Sequence, residues 1–141
     1  MNILKKIGQW IGWLLKPSLA TNRQDTLAVK KPEPPVVFST INTLEKPPKN
    51  TEILEHRFYF VMSGTLPKWS MFRCPCGCED VITLSMQTLH RPHWRLSFTN
   101  SQRPTLHPSV WKDKGCMSHF WLRDGRVYWC NDTGTSPFTR S

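Results

Sequence analysis

Ile3, Leu4, Ile7, Ile11, Leu14 and Leu15 recur at helical spacing, which predicts one amphipathic helix over residues 1–16, stopped by Pro17. Trp10 and Trp13 flank the apolar stripe, while Lys5, Lys6 and Gln9 lie elsewhere on the helix. From 17 to 56 the periodicity fades, and Pro17, Pro32, Pro34, Pro35, Pro47 and Pro48 interrupt the chain. This stretch reads as a partly extended, Pro-rich linker. Within it, Val36-Val37-Phe38 suits a strand at a sheet edge and 51–56 a short helical turn or the approach to a domain. Beyond Arg57 the pattern changes to short strands: 58–62, 71–73, 81–84, 94–98, 105–106, 119–122 and 127–129. Ser63-Gly64, Thr99-Asn100 and Arg123-Asp124-Gly125 separate several of them. The last signal is the sharpest, because an Asp-Gly pair between Phe120-Trp121-Leu122 and Val127-Tyr128-Trp129 is a strong hairpin cue. The expected fold is therefore mostly β: a small antiparallel domain over 57–141 with a C-terminal hairpin.

A chain of 141 residues has room for one modest core plus tails and excludes two catalytic domains. Twelve Pro and seven Gly argue for turns rather than a long helical bundle. No apolar run reaches the ~18 residues of a membrane span. The segment 7–15, broken by Gly8, Gln9 and Gly12 and ended by Lys16, makes a poor signal-peptide core. A cytoplasmic protein is expected, peripheral at the membrane if the helix docks there. That helix would otherwise serve a partner or self-association.

The net charge of +9 favours acidic partners in general. Its distribution does not favour nucleic acid, since residues 1–57 hold nine basic and five acidic side chains and 58–141 hold ten and five. Trp69, Phe72-Arg73, His90-Arg91, His93-Trp94-Arg95 and Trp111-Lys112 interleave aromatic and basic groups, as a base-stacking surface would. Ordinary two-faced strands produce the same alternation.

Three of the five cysteines fall within five residues, Cys74-Pro75-Cys76-Gly77-Cys78. Such crowding suits thiolate ligation of Zn²⁺ better than a disulfide framework. Two or three ligands come from this turn and the rest from far along the chain, where Cys116, His119 and Cys130 stand. A domain of about 85 residues gains much from such a staple. Free buried cysteines or a redox centre are the alternatives.

Ser109, after His107-Pro108, and His119, after Cys116-Met117-Ser118, are the minimum for nucleophilic hydrolysis, with the imidazole removing the hydroxyl proton. The competing readings are a Ser109 that caps a turn and a His119 that is a metal ligand or a core residue. A metal-dependent hydrolase with His119 on the metal is a variant. Gly-x-Ser-x-Gly, His-Glu-x-x-His and phosphate-cradling Gly loops are missing from the sequence.

Phe60-Val61-Met62-Ser63-Gly64, the cysteine turn, Trp94, Leu106-His107-Pro108-Ser109-Val110, and Cys116-Met117-Ser118-His119-Phe120 through Gly125 to Trp129 together resemble the BubE-like family of small bacterial and phage proteins. The resemblance covers roughly residues 57–130. Members are often encoded beside bacterial ubiquitin-like conjugation genes, so it implies a peptidase that trims a ubiquitin-like precursor or removes the protein from targets. The implied partners are the ubiquitin-like protein and its conjugation enzymes. Carried over, the motifs fall on Ser109 and His119 as catalytic residues and on Cys74, Cys76, Cys78 and Cys116 as holders of a structural zinc. The acid of a triad is open among Asp80, Glu79 and Asp113. A non-catalytic module that binds a ubiquitin-like protein or nucleic acid is the alternative.

Overall fold

The strands expected beyond residue 57 form, and the sheet they build begins earlier. A computed structural model of the chain describes residues 30–139; the helix expected over 1–16 and linker residues 17–29 lie outside them. Chain contacts gather Pro32–Ser141 into one unit. Its first sheet has the order β1 (Ile41–Leu44), β2 (Phe58–Ser63), β3 (Leu66–Arg73), β4 (Val81–Ser85). Ser63 pairs with Leu66 across Gly64-Thr65, and Gly64, at φ +58°, takes the left-handed conformation that its missing Cβ permits. A second sheet pairs β5 (Arg95–Phe98) with β6 (Pro104–His107), and a third has the order β7 (Val110–Trp111), β8 (His119–Arg123), β9 (Arg126–Trp129). Among the described residues no helix is long and apolar enough to cross a membrane.

Two expectations change. The domain is not wholly antiparallel, because β1 runs parallel to β2, with Ile41 opposite Phe58 and Leu44 opposite Val61. The stretch read as linker up to residue 56 divides, and its second half belongs to the fold. Phe38 is 1 % exposed and packs against Phe58 and Phe72 at ring-centroid distances of 6.1 and 5.3 Å. Full burial of such a side chain is worth about 1.5–3 kcal/mol, more than a tether contributes. The strand expected at Val36-Val37-Phe38 shrinks to one bridge from Val36 to Arg126, with the Val37 and Phe38 N–H groups both donating to the Gly125 carbonyl.

The pleat sorts side chains into two cores. Phe58, Phe72, Ile82 and Leu84 join Leu106, Val110, Phe120, Leu122 and Val127 in the larger one. Val61 and Met71, on the opposite face of the first sheet, pack under Ile53, from the segment that follows a 3-10 turn at Asn50–Glu52. The β8–β9 turn forms as expected: Arg123 pairs with Arg126, and both Asp124 (φ +47°) and Gly125 (φ +70°) are left-handed, as a type I′ turn requires.

Candidate functional site

Ser109 ends the short turn between β6 and β7, and His119 opens β8. Ten residues separate them along the chain, yet β7 and β8 pair with Trp111 opposite His119, which folds one back onto the other. The Ser109 hydroxyl stands 3.1 Å from His119 Nε2. The Trp94 indole N–H donates to the Ser109 carbonyl at 3.2 Å, tying the serine to the approach to β5. The Trp111 ring stacks on the imidazole, with centroids 4.2 Å apart and planes 1° apart, and its indole N–H donates to the Thr135 carbonyl. The aromatic residues of the basic-aromatic stretches are thus partly spoken for: Phe72 is core, while Trp94 and Trp111 frame Ser109 and His119.

On the other side of the imidazole, Nδ1 lies 2.6 Å from an oxygen of Asp132. An ionised carboxylate only accepts hydrogen bonds, so in the neutral ring Nδ1 carries the proton and Nε2 keeps its lone pair for the Ser109 hydroxyl. Asp132 sits in the turn after β9. That turn is held by Thr133 N–H to the Cys130 carbonyl (3.1 Å), the Thr135 hydroxyl to the Asp132 carbonyl (2.5 Å) and the His119 N–H to the Thr133 hydroxyl (3.0 Å). The imidazole is 12 % exposed and the Asp132 side chain 33 %, so the pair is shielded on the histidine side and open to water on the other.

None of the three carboxylates expected from the sequence occupies this place. Asp80 is bonded to Lys112 at 2.5 Å and is held below the usual carboxylate range by that ammonium group. The Glu79 carbonyl receives Arg73, and Asp113 is exposed in the β7–β8 loop. The hairpin register signals only the neighbourhood in which the carboxylate lies. Pairing Arg123 with Arg126 across the Asp-Gly turn and stepping outward sets Phe120 opposite Trp129, so the next residue after β9 lies beside His119. Cys130 N–H does donate to the His119 carbonyl at 2.9 Å. A second serine–histidine contact, Ser85 hydroxyl to His90 Nδ1 at 2.7 Å, shows what is special about the first: among the described residues no carboxylate is paired with His90.

The cysteine turn is the connection between β3 and β4. Cys74 N–H donates to the Asp80 carbonyl and Gly77 N–H to the Cys74 carbonyl, closing a loop that aims Cys74, Cys76 and Cys78 to one side. Cys116, from the β7–β8 loop, joins them. The four sulfurs lie within 4.8 Å of one another, with Cys74–Cys76 at 3.4 Å, Cys78–Cys116 at 3.6 Å and Cys74–Cys116 at 3.8 Å. Metal–sulfur bonds of about 2.3 Å in a tetrahedron require sulfurs about 3.8 Å apart. The four cysteines are positioned to hold a metal ion.

Further groups suit a cation-bound thiolate set. The buried Ser118 hydroxyl lies 3.1 Å from Cys116 and 3.6 Å from Cys74, and the Lys112 ammonium lies 3.8 Å from Cys78. Burial opposes ionisation of Cys116, but hydrogen bonds from the Ser118 hydroxyl and N–H outweigh it and hold the thiol down to about 6. Burial pushes the Cys74 thiol up. Neither His119 nor Cys130 belongs to this cluster; these two group with Asp132 instead.

The cysteine cluster and the Ser109–His119 pair share one piece of chain. Cys116 anchors the loop that leaves β7 and enters β8, and Lys112 N–H donates to the Ser118 carbonyl at 2.9 Å across its neck. Gly115, at φ +71°, has Asp80 so close that an added Cβ would approach its carboxylate to 3.1 Å. The loop is therefore clamped to the cysteine turn at the residues just before the imidazole.

A family model described as "Bacterial ubiquitination-like system serine protease (BubE)" matches residues 44–130 of the chain. No curated protein and no solved structure matches.

Proposed function

Since the chain belongs to the family of bacterial ubiquitination-like system serine proteases, we propose that it is a serine peptidase that cleaves after the C-terminal residue of a ubiquitin-like protein. Cleavage would trim a precursor or release the protein from its targets. The observation that carries this reading is the relay Ser109–His119–Asp132, with links of 3.1 and 2.6 Å.

In the proposed chemistry Ser109 Oγ attacks the scissile carbonyl as its proton passes to His119 Nε2. Asp132 holds the ring in the tautomer that leaves Nε2 free, and it stabilises the imidazolium that forms. The same proton then goes to the departing amine, and water, activated by the imidazole, releases the acyl group from Ser109. Pro108 has no N–H and the Val110 N–H faces Phe120 in the β7–β8 ladder, so the Ser109 amide is the nearest chain donor left for the developing oxyanion. Trp111 keeps the imidazole from swinging off line. The match to the family model ends at residue 130, and the 2.6 Å contact with His119 Nδ1 supports Asp132, two positions beyond it, as the acid.

Cys74, Cys76, Cys78 and Cys116 would hold one Zn²⁺, which supplies a structural clamp on the loop between nucleophile and base rather than a Lewis acid at the scissile bond. The four sulfurs leave no position for water.

The test mixes the full chain with a ubiquitin-like precursor bearing a C-terminal extension and follows release of the tail. Ser109→Ala and His119→Ala are expected to lower kcat by several orders of magnitude while binding persists. If both variants cleave like the parent, the assignment is wrong. If the parent binds the precursor and never cleaves it, the chain is a binding module instead.

A further inference from the structure

His119, Cys130 and Asp132 each offer a ligating atom, and the three atoms lie within 4.8 Å of one another. Nothing in the peptidase chemistry uses the Cys130 thiol. Its backbone is fixed to the imidazole's own residue, Cys130 N–H donating to the His119 carbonyl at 2.9 Å, and its carbonyl receives Thr133 N–H at 3.1 Å. The β8–β9 register therefore presents a thiol, an imidazole nitrogen and a carboxylate from a braced strand end and turn. The Asp132 side chain, 33 % exposed, gives solvent access to the group.

We propose that His119, Cys130 and Asp132 form a second metal site, one for a thiophilic divalent cation such as Zn²⁺, and that its occupation switches the peptidase off. The donor set decides the ligand class. One sulfur, one imidazole nitrogen and one carboxylate oxygen match zinc, whereas Mg²⁺ and Ca²⁺ require oxygen shells. Three protein ligands leave a fourth position for water, so the site is weaker than the four-cysteine cluster and fills after it.

The inhibitory consequence rests on the peptidase reading and follows from proton balance. The cation takes the Nδ1 lone pair, so the proton that Nδ1 donated to Asp132 must leave that nitrogen. A neutral ring then carries its one proton on Nε2. The Cys130 thiol gives its proton to solvent as it becomes a ligand. An Nε2 that bears hydrogen cannot accept the Ser109 proton, and Asp132 is drawn onto the metal at the same time. One binding event thus removes the base and its orienting group together.

The experiment uses the full chain carrying metal in its four-cysteine cluster. Free Zn²⁺ is set with a chelator buffer, and two quantities are read: bound zinc per chain, and the rate at which a fluorophosphonate labels Ser109. A second equivalent is expected to bind, with labelling falling in parallel. Cys130→Ser and Asp132→Asn should each raise the free Zn²⁺ needed for the second equivalent about 10- to 100-fold or more, since loss of even an outer partner costs that much. Labelling of Cys130→Ser, relative to its own zinc-free rate, should resist zinc to the same extent. Mg²⁺ and Ca²⁺ should do nothing. A second equivalent that binds Cys130→Ser as tightly as the parent, or none up to millimolar zinc, overturns the site. Should fluorophosphonate fail to label the parent at all, the peptidase reading falls, and the zinc count still decides the metal site.

Discussion

Replacing Asp132 by asparagine takes one negative charge from behind the imidazole and substitutes a group able to donate where the carboxylate could only accept. Opposite charges about 4 Å apart attract by about 4 kcal/mol at an effective dielectric of about 20. Asp132 is 33 % exposed, so screening reduces its stabilisation of the transient imidazolium to about 2–4 kcal/mol. At about 1.4 kcal/mol per tenfold, that alone lowers kcat about 30- to 1000-fold. A further loss comes from the tautomer: the asparagine NH₂ donates to Nδ1, the ring proton moves to Nε2, and the Ser109 hydroxyl, 3.1 Å away, loses its acceptor. A combined fall of about 10³- to 10⁴-fold in kcat, with KM little changed, is the expected outcome. Asp132→Ala, which removes the charge without offering a donor, should fall less than Asp132→Asn. Steady-state release of the tail from an extended ubiquitin-like precursor measures both parameters, and near-ultraviolet circular dichroism checks that Trp111 still packs. Should Asp132→Asn keep kcat within about tenfold of the parent while Ser109→Ala abolishes turnover, Asp132 only braces a turn.

Purified protein is expected to hold one tightly bound Zn²⁺, measured by elemental analysis, and Cys116→Ser should lose it together with cooperative unfolding and labelling of Ser109; a folded, active, metal-free Cys116→Ser would refute the clamp. Ser70 is buried with a hydroxyl that has no hydrogen-bond partner among the described residues, so Ser70→Ala should raise stability by about 1 kcal/mol, read as a Tm a few degrees higher, and a lower Tm would show that the hydroxyl is satisfied. The Ser101 hydroxyl, with Thr99 and Arg103, holds the Asp124 carboxyl below its ordinary range. A depressed carboxylate contributes stability above its unfolded value near 3.9, and that contribution is lost as pH falls through the folded value. Asp124→Asn keeps a residue tolerant of the left-handed turn and should flatten the acid side of the urea midpoint against pH; an unchanged acid limb would exclude Asp124 from acid unfolding.

Local signals in the sequence carried the C-terminal half of the fold. The Asp-Gly turn announced β8 and β9 because few residues besides Gly, Asn and Asp tolerate two consecutive left-handed positions. The crowded cysteines likewise announced their cluster, since the turn that gathers three of them is encoded in five residues. Phe38 and β1 were hidden because their partners are distant: the prolines around them look like a linker, and nothing in Ile41-Asn42-Thr43-Leu44 specifies a parallel neighbour at Phe58. Asp132 was hidden for a different reason. Glu79, Asp80 and Asp113 lie nearer in sequence to the cysteine turn and the β7–β8 loop, whereas the carboxylate that reaches His119 is set by hairpin register and by a turn beyond the last strand.

Gly125 imposes an order of assembly on the molecule. Its carbonyl receives the Val37 and Phe38 N–H groups, its N–H donates to Pro104, and an added Cβ would fall 2.0 Å from the Phe38 carbonyl oxygen. Phe38 emerges early in synthesis, yet the backbone that satisfies it is made almost ninety residues later, and contacts of such separation form late. A nascent chain stopped short of this glycine leaves Phe38 without its anchor and Asp132 not yet made. The Ser109–His119–Asp132 relay is therefore complete only once the last hairpin has closed.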